Sequence, residues 1–392
     1  MIRLIAVLWM TSAIARSTPV SYPPFTWDTV PVYLHFGSES HCLNEEEVSQ
    51  IVKITKFISF EKKHGGDDTQ FTDEATEQDA LKIKKADPQV KVLFYWNSFL
   101  AYPFYSETTD FISKHPEFVF RTPSGMPIYK SDNSKLVQYN WLNPDFQSWW
   151  SDIAGDAIKK FGCDGIFMDA ATQPTRPLWI TKGWGKGSEE KLHEAGKNLM
   201  KLAKEKMGSR GLLIYNGLGS AKRDGDVSKA ESQKGEIYLD DADGVCFEHF
   251  DQFEGADKAC ILSDWNKIKM ASAKGKITII KCWPDHDFNW LNKELMKKSG
   301  EELEKEARSK ISYPLACFLI GAQSYSYFCY SWGYQKLQGS LIDYPEYHKK
   351  LGNPKGDFKR ENPENWVFTR AFEFADVWVD LEKRIAKIDW KQ

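Results

Sequence analysis

A chain of 392 residues with 42% hydrophobic content is long enough for one large α/β barrel with an addition, or for two ordinary domains. Its 52 basic and 55 acidic residues leave a net charge of −3, so no global basic field exists to hold nucleic acid or an anionic membrane surface. The seven cysteines include no C-x-x-C pair, which argues against a zinc or thioredoxin-like site and against a small disulfide-framed scaffold.

The chain opens with a basic start, Met1-Ile2-Arg3, then the apolar run Leu4 to Met10 and the small residues Ala13-Ile14-Ala15. This order reads as a secretory signal peptide cleaved after Ala15, and it predicts an exported protein. The apolar run is shorter than the roughly 20 residues that span a bilayer, and no later stretch qualifies, so membrane insertion is not expected. Export permits disulfides, and Cys246 with Cys260 is the first pair to examine. Four of the seven cysteines, however, lie in apolar strand-like contexts where a buried free thiol is the commoner outcome.

After a proline-rich entry, apolar runs alternate with amphipathic stretches. Strands are expected at 32–37, 57–60, 90–96, 166–169, 211–215, 244–247, 277–283 and 324–328. Helices are expected from Asn44, from Glu74 to Ala86, from Asn143-Pro144 to Lys160, from Ser188, around Lys267 to Ala273, and from Glu302 to Ile320. Eight strands alternating with helices is the count of a (β/α)8 TIM barrel in the α/β class. The predicted organisation is a signal peptide over 1–15, a barrel over 25–340, and a small C-terminal β appendage over 341–392. In the appendage Val377, Val379 and Leu381 alternate with Trp378 and Asp380, one face to bury and one for solvent. A long excursion over 97–143 is rich in aromatic residues and a polar loop over 171–187 carries tryptophans, and the loops over 101–139 and 171–187 are expected to overhang the catalytic rim.

Barrel enzymes carry their chemistry at the C-terminal ends of strands, so the strand ends are the informative positions. They read Glu61, Tyr95 with Asn97, Asp169, Tyr215 with Asn216, Glu248, Trp283 with Asp285, and Tyr330 with Trp332. Acids, amides and flat aromatics in one rim suit glycosidic bond cleavage: one acid protonates the leaving oxygen, the other attacks or activates water, amides meet hydroxyls, and rings meet sugar faces. Asp169 and Glu248 are the catalytic candidates, and Glu61, Tyr95, Asn97, Tyr215, Asn216, Trp283, Asp285, Tyr330 and Trp332 are the substrate-binding ones. Strand alternation turns His249 to the side opposite Glu248. No serine–histidine–aspartate grouping, histidine cluster or glycine-rich phosphate loop appears, so no metal or cofactor is expected.

The segments Trp141-Leu142-Asn143-Pro144-Asp145-Phe146, Asp164-Gly165-Ile166-Phe167-Met168-Asp169 and Phe368 to Phe374 followed by Val377 to Leu381 resemble the secreted glycoside-hydrolase-like TIM barrels. The resemblance is to the hypothetical glycosyl hydrolase family fifteen in particular, and more distantly to α-galactosidase and polygalactosaminidase-type barrels. It implies an oligo- or polysaccharide partner, Asp169 as nucleophile or base, and Glu248 as proton donor. Such families often follow the strand-four acid with a polar residue, where this chain has Ala170. The competing expectation is a non-catalytic, extracellular carbohydrate-binding or matrix protein that keeps the barrel without turnover.

Overall fold

Short runs of apolar residues that must bury both faces are satisfied when parallel strands carry helices on the outside, because each strand then needs a crossover to reach its neighbour. The computed structural model, which describes residues 21–131, 133–220 and 234–391, has this build. The proposed signal peptide lies outside the described residues. β1 (Leu34–Phe36), β2 (Phe57–Phe60), β3 (Lys91–Asn97), β4 (Gly165–Asp169), β5 (Leu212–Asn216), β6 (Gly244–Phe247), β7 (Ile277–Cys282) and β8 (Ser326–Tyr330) pair in chain order, every pair parallel. Bridges from Val32 to Phe328 and from Gly37 to Gln335 join the first strand to the last. Gly165 shows why β4 starts with glycine: a Cβ there would meet the Leu212 carbonyl oxygen at 2.1 Å.

The outer layer is α1 (Glu45–Ile54), α2 (Thr72–Ala86), α3 (Pro144–Lys159), α4 (Glu189–Met207), α5 (Lys258–Ala273), α6 (Gly300–Lys310) and α7 (Ser312–Gly321). The entry to α3 follows from Asn143-Pro144. The Asn143 side chain accepts from the backbone N–H groups of Asp145 and Phe146 at 2.8 and 3.2 Å, and proline occupies the first turn, where its missing N–H has no partner to lose. The single helix expected over Glu302 to Ile320 is two, broken at Ile311. Pro314 explains the break, since its ring would clash with the carbonyl one turn back and suits the first turn of a new helix. Among the described residues no helix is long and apolar enough to cross a membrane. All seven cysteines are buried and none forms a disulfide, so Cys246 and Cys260 are not bridged.

The loop between β3 and α3 packs on itself. Val119 bridges Tyr139 and Tyr129 bridges Val137, and Phe111, Phe118, Tyr139 and Phe146 surround Trp149. The loop after β4 leans on it through Trp184, stacked on Phe120 with centroids 3.6 Å apart. Both loops leave the C-terminal ends of their strands, yet Tyr105, Phe118, Phe120, Tyr139 and Trp141 are buried. Most of these aromatics are therefore packing for the loop, not sugar platforms.

The C-terminal segment forms an antiparallel sheet of β9 (Lys359–Arg360), β10 (Val367–Ala371), β11 (Ala375–Asp380) and β12 (Ile385–Trp390), ordered β12-β11-β10-β9. Ala375, Val377 and Val379 face inward, and Phe368 packs edge-on against Trp265 of α5. Arg370 does more than pack. Its Nη1 donates to the carbonyls of Leu319 and Ile320 at 2.9 and 3.1 Å and to that of Ala322, so a buried cation satisfies the C-terminal carbonyls of α7 and complements the negative end of its dipole. Arg370→Ala should cost about 3 kcal/mol, because it strands several buried acceptors at once. Urea denaturation of the full chain measures this, and a chain cut after Ser340 should aggregate on expression.

Candidate active site

Side chains alternate along a strand, so one residue in two at each strand end points into the barrel. The contacts define the inward set. Tyr33 donates to Ser59 (2.6 Å), Ser59 meets His35 Nδ1 (2.9 Å), and His35 Nε2 meets Glu61 Oε1 (3.0 Å). The His35 ring lies edge-on to Phe167 at 4.8 Å. These inward residues of β1, β2 and β4 form a polar floor beneath the rim.

On that floor stand the two acids. Asp169 Oδ2 accepts from the Tyr95 hydroxyl and from Asn97 Nδ2 at 2.8 Å, and its Oδ1 accepts from Asn216 Nδ2 at 2.8 Å. The same Asn216 nitrogen donates to Glu248 Oε2 at 2.7 Å. One donor shared by two carboxylates holds their nearest oxygens within about 5.5 Å, the upper edge of the spacing at which one acid attacks the anomeric carbon directly. Glu248 Oε1 accepts from the Tyr334 hydroxyl at 2.8 Å, and the Trp283 indole N–H holds the Glu248 carbonyl at 3.2 Å. The backbone at Ala170 has φ of 62°, a left-handed conformation that is strained for a residue with a Cβ. Ser98 holds it by donating both its N–H and its hydroxyl to the Asp169 carbonyl, at 3.0 and 2.8 Å. The support that a polar residue after Asp169 would have supplied comes instead from Tyr95, Asn97, Asn216 and Ser98.

The electrostatics of the pair are asymmetric. Burial, and then the charge of Glu248, push the Asp169 carboxyl above its ordinary value, against the hydrogen bonds from Tyr95 and Asn216 and the nearby Lys62 cation. For Glu248 burial acts in the same upward sense, but His249, the hydrogen bonds from Asn216 and Tyr334, and His35 outweigh it and bring the group down. The first proton that the pair takes up therefore goes to Asp169. Hydrogen bonds from amides alone would keep Asp169 ionised and burial alone would keep Glu248 protonated; both influences are present, and neighbouring charge reverses the outcome.

Several residues of the rim carry no sequence signal of their own. Lys62 pairs with Glu61 at 2.5 Å and lies over the rings of Tyr95, Tyr102 and Tyr334 at 5.3 to 5.7 Å. Trp290 stacks on Trp283 (5.2 Å) and meets Tyr334 edge-on (4.9 Å), making an aromatic wall on the Glu248 side. Lys281 is buried beneath that wall, donates to the Ser331 carbonyl and hydroxyl at 2.7 and 2.8 Å, and is pushed down to about 8 by burial. His249 is not turned away from Glu248: its Nε2 lies 3.5 Å from Glu248 Oε2, because β6 ends at Phe247 and alternation no longer applies beyond it. Together with Thr172, Gln173, Arg176 and Ser220 it lines a cleft that opens beside Asn216 and Glu248.

Of the expected substrate-binding residues, Tyr95, Asn97, Asn216 and Trp283 share the rim with both acids, and Glu61 lies in the floor just beneath it. Tyr215, Tyr330 and Trp332 do not. The Tyr215 hydroxyl donates to the Gly235 carbonyl (2.6 Å) and that of Tyr330 to the Ala307 carbonyl (2.9 Å). Trp332 is buried edge-on against Phe288. Tyr215 and Tyr330 have the outward parity of their strands, which the alternation alone would have revealed. Asp285 pairs with Lys310 of α6 at 3.0 Å, on the outer side of the β7 end. Among the described residues no group of three or more histidine, cysteine or acidic side chains is placed to hold a metal ion.

A parallel eight-stranded barrel with an amide-bridged carboxylate pair at its C-terminal rim defines a class, the glycoside-hydrolase-like TIM barrels. The match to a family model is specific within that class: residues 84–376 fit the hypothetical glycosyl hydrolase family 15, and the chain belongs to that family. No curated protein matches the chain in sequence. Among solved structures it is similar to Amy13B of Eubacterium rectale, at 10% identity over 93% of this chain and 87% of the other with a TM-score of 0.50. It is also similar to the α-galactosidase of Thermus thermophilus (13%, 91% and 67%, TM-score 0.49) and to the glycoside hydrolase domain of PelA from Pseudomonas aeruginosa (11%, 79% and 96%, TM-score 0.45). At 10% identity the likeness to Amy13B is one of fold.

Glu61 offers a test of the floor. Burial would raise its carboxyl, but Lys62 and His35 outweigh burial and bring it down to about 2. A folded-state value below the unfolded one contributes stability that is fully present above the ordinary carboxylate range and lost as pH falls towards about 2. Glu61→Gln should therefore destabilise the protein by about 3 kcal/mol at pH 7. The gap between wild type and variant, followed by urea denaturation, should close between about pH 4.5 and pH 2.

Proposed function

We propose that this protein is a glycoside hydrolase that cleaves an oligo- or polysaccharide with Asp169 and Glu248 as its two carboxylates and with retention of anomeric configuration. The observation that carries the reading is the Asn216 amide shared by both acids, since it sets the short separation that direct attack requires. Asp169 is the attacking group in this reading: it has a short side chain pinned by Tyr95, Asn97 and Asn216, which fixes its position against the sugar. Glu248, on a longer arm beside the aromatic wall, protonates the leaving oxygen and later takes a proton from water. The resting proton on Asp169 has to move for this to happen. A bound substrate favours the move, because it places an acceptor oxygen at Glu248 and a carbon of growing positive charge at Asp169.

A panel of polysaccharides with reducing-end detection tests the proposal. Asp169→Asn and Glu248→Gln should each lower kcat by a thousandfold or more on the substrate that wild type cleaves, on the order expected for removal of an essential group. Because Asp169 is raised, the basic limb of kcat/KM should lie above the ordinary carboxylate range, activity falling as the pair loses its one proton. NMR of the first-formed product should show the retained anomer. An inverted product would remove the nucleophile role from Asp169, and a panel with no substrate would move the reading to a carbohydrate-binding barrel without turnover.

Export belongs to the same proposal, supported by the basic, apolar and small-residue order of residues 1–15. Protein recovered from the culture medium should begin at Arg16 on N-terminal sequencing. Protein retained inside the cell with Met1 in place would refute it.

A further inference from the structure

The loop that follows β6 contains strain that the chemistry above does not use. Asp251 and Phe253 have φ of 54° and 51°, each a left-handed conformation that is strained for a residue with a Cβ. Such backbone persists only where its surroundings over-determine it. Part of those surroundings comes from the far end of the chain. Arg384, in the turn between β11 and β12 and itself at φ of 53°, grips Asp251 with both prongs of its guanidinium, Nη1 to Oδ1 at 2.7 Å and Nη2 to Oδ2 at 2.8 Å. Its flat face lies over the Tyr313 ring at 4.8 Å. Planar, two-pronged pairing fixes orientation as well as distance, which a point cation cannot do. His286 meets Asp251 at 3.4 Å through a single contact.

From Asp251 the contacts lead straight to the acid. Phe253 lies edge-on to His249 (4.9 Å), to Trp283 (6.0 Å) and to Trp290 (5.9 Å). His249 Nε2 lies 3.5 Å from Glu248 Oε2, and Trp283 holds the Glu248 carbonyl. The His249 and Trp283 side chains thus lean on a loop that Gln252 ties to the Asp285 carbonyl at 3.4 Å and that one arginine of the appendage grips at Asp251.

We propose that Arg384 is a positioning residue for Glu248, and that the C-terminal sheet completes the active site through this one side chain. The inference rests on the glycosidase reading for its effect on turnover, but its structural part stands apart from it. A misplacement of a reacting group by about 1 Å is enough to cost a hundredfold in rate, so a loop relaxed by loss of its clamp would lower kcat while leaving sugar contacts, and hence KM, largely intact.

The test uses the full chain with Arg384→Ala, Arg384→Lys and, as a control on the same turn, Glu382→Gln, which breaks only the exposed pair with Lys258. Hydrogen exchange in Arg384→Ala should rise about tenfold or more in the peptide spanning Glu248 to Gly255, with the peptides of β4 and β5 unchanged. Millimolar guanidinium should reverse that rise, Arg384→Lys should restore it only in part, and Glu382→Gln should match wild type. On the substrate that wild type cleaves, kcat of Arg384→Ala should fall about ten- to hundredfold with KM within about twofold. Exchange in Glu248 to Gly255 that stays at the wild-type level, or that rises equally across the barrel, would overturn the proposal, as would a loss of activity carried by KM. If wild type cleaves no glycan, the glycosidase reading falls, while the exchange and its guanidinium rescue still decide whether Arg384 holds the loop.

Discussion

The rim depends on one amide. Two half-buried carboxylates repel one another and lose solvation when brought together, so the arrangement persists only if donors are supplied where water has been removed. Asn216 supplies one nitrogen to both acids, and Tyr95, Asn97 and Tyr334 supply the rest. This costs folding energy at the rim. It also sets the asymmetry of the pair, because each acid feels the other's charge while only Glu248 has His249 beside it.

Beneath the rim, the barrel interior is polar where a filled barrel would ordinarily be branched and apolar. Tyr33, Ser59, His35, Glu61 and Lys62 form a continuous hydrogen-bonded chain from the interior up to the rim. A buried network of this kind is stable only when every member is satisfied, and it then locks the rotamers of all of them. Glu61 is held ionised by that network. Its role as placed in the structure is to fix Lys62 over the tyrosine rings at the rim, so the strand-two acid acts on the site through a cation.

The outer parts of the molecule restrain the same rim from two directions. On one side, the loop between β3 and α3 buries its own aromatics and braces the loop after β4 by the stack of Phe120 on Trp184. On the other, the appendage sheet is anchored at one point by Arg370 on the last turn of α7 and at another by Arg384 on Asp251. Arg384 acts as a planar fork on a carboxylate, a use for which lysine is a poor substitute, whereas Arg370 meets the helix carbonyls through Nη1 alone.

The local sequence was sufficient for whatever depends on neighbours along the chain. Apolar runs of strand length, amphipathic stretches between them and Asn143-Pro144 at a helix entry specify the eight-strand alternation, and an acid directly after Ile166-Phe167-Met168 or Val245-Cys246-Phe247 specifies a carboxylate at a barrel rim. Strand parity, equally local, already separates Asn97, Asp169 and Asn216 from Tyr215 and Tyr330. Only the closed barrel decided the rest. Tyr334 reaches Glu248 across 86 positions of sequence and Arg384 reaches Asp251 across 133, and no spacing rule links residues whose proximity comes from ring closure and from a sheet folding back. The proton's preference for Asp169 is a property of the summed field of Glu248, Lys62, His249 and His35, and such a field exists only once those charges have been brought to their distances in a medium that screens them poorly.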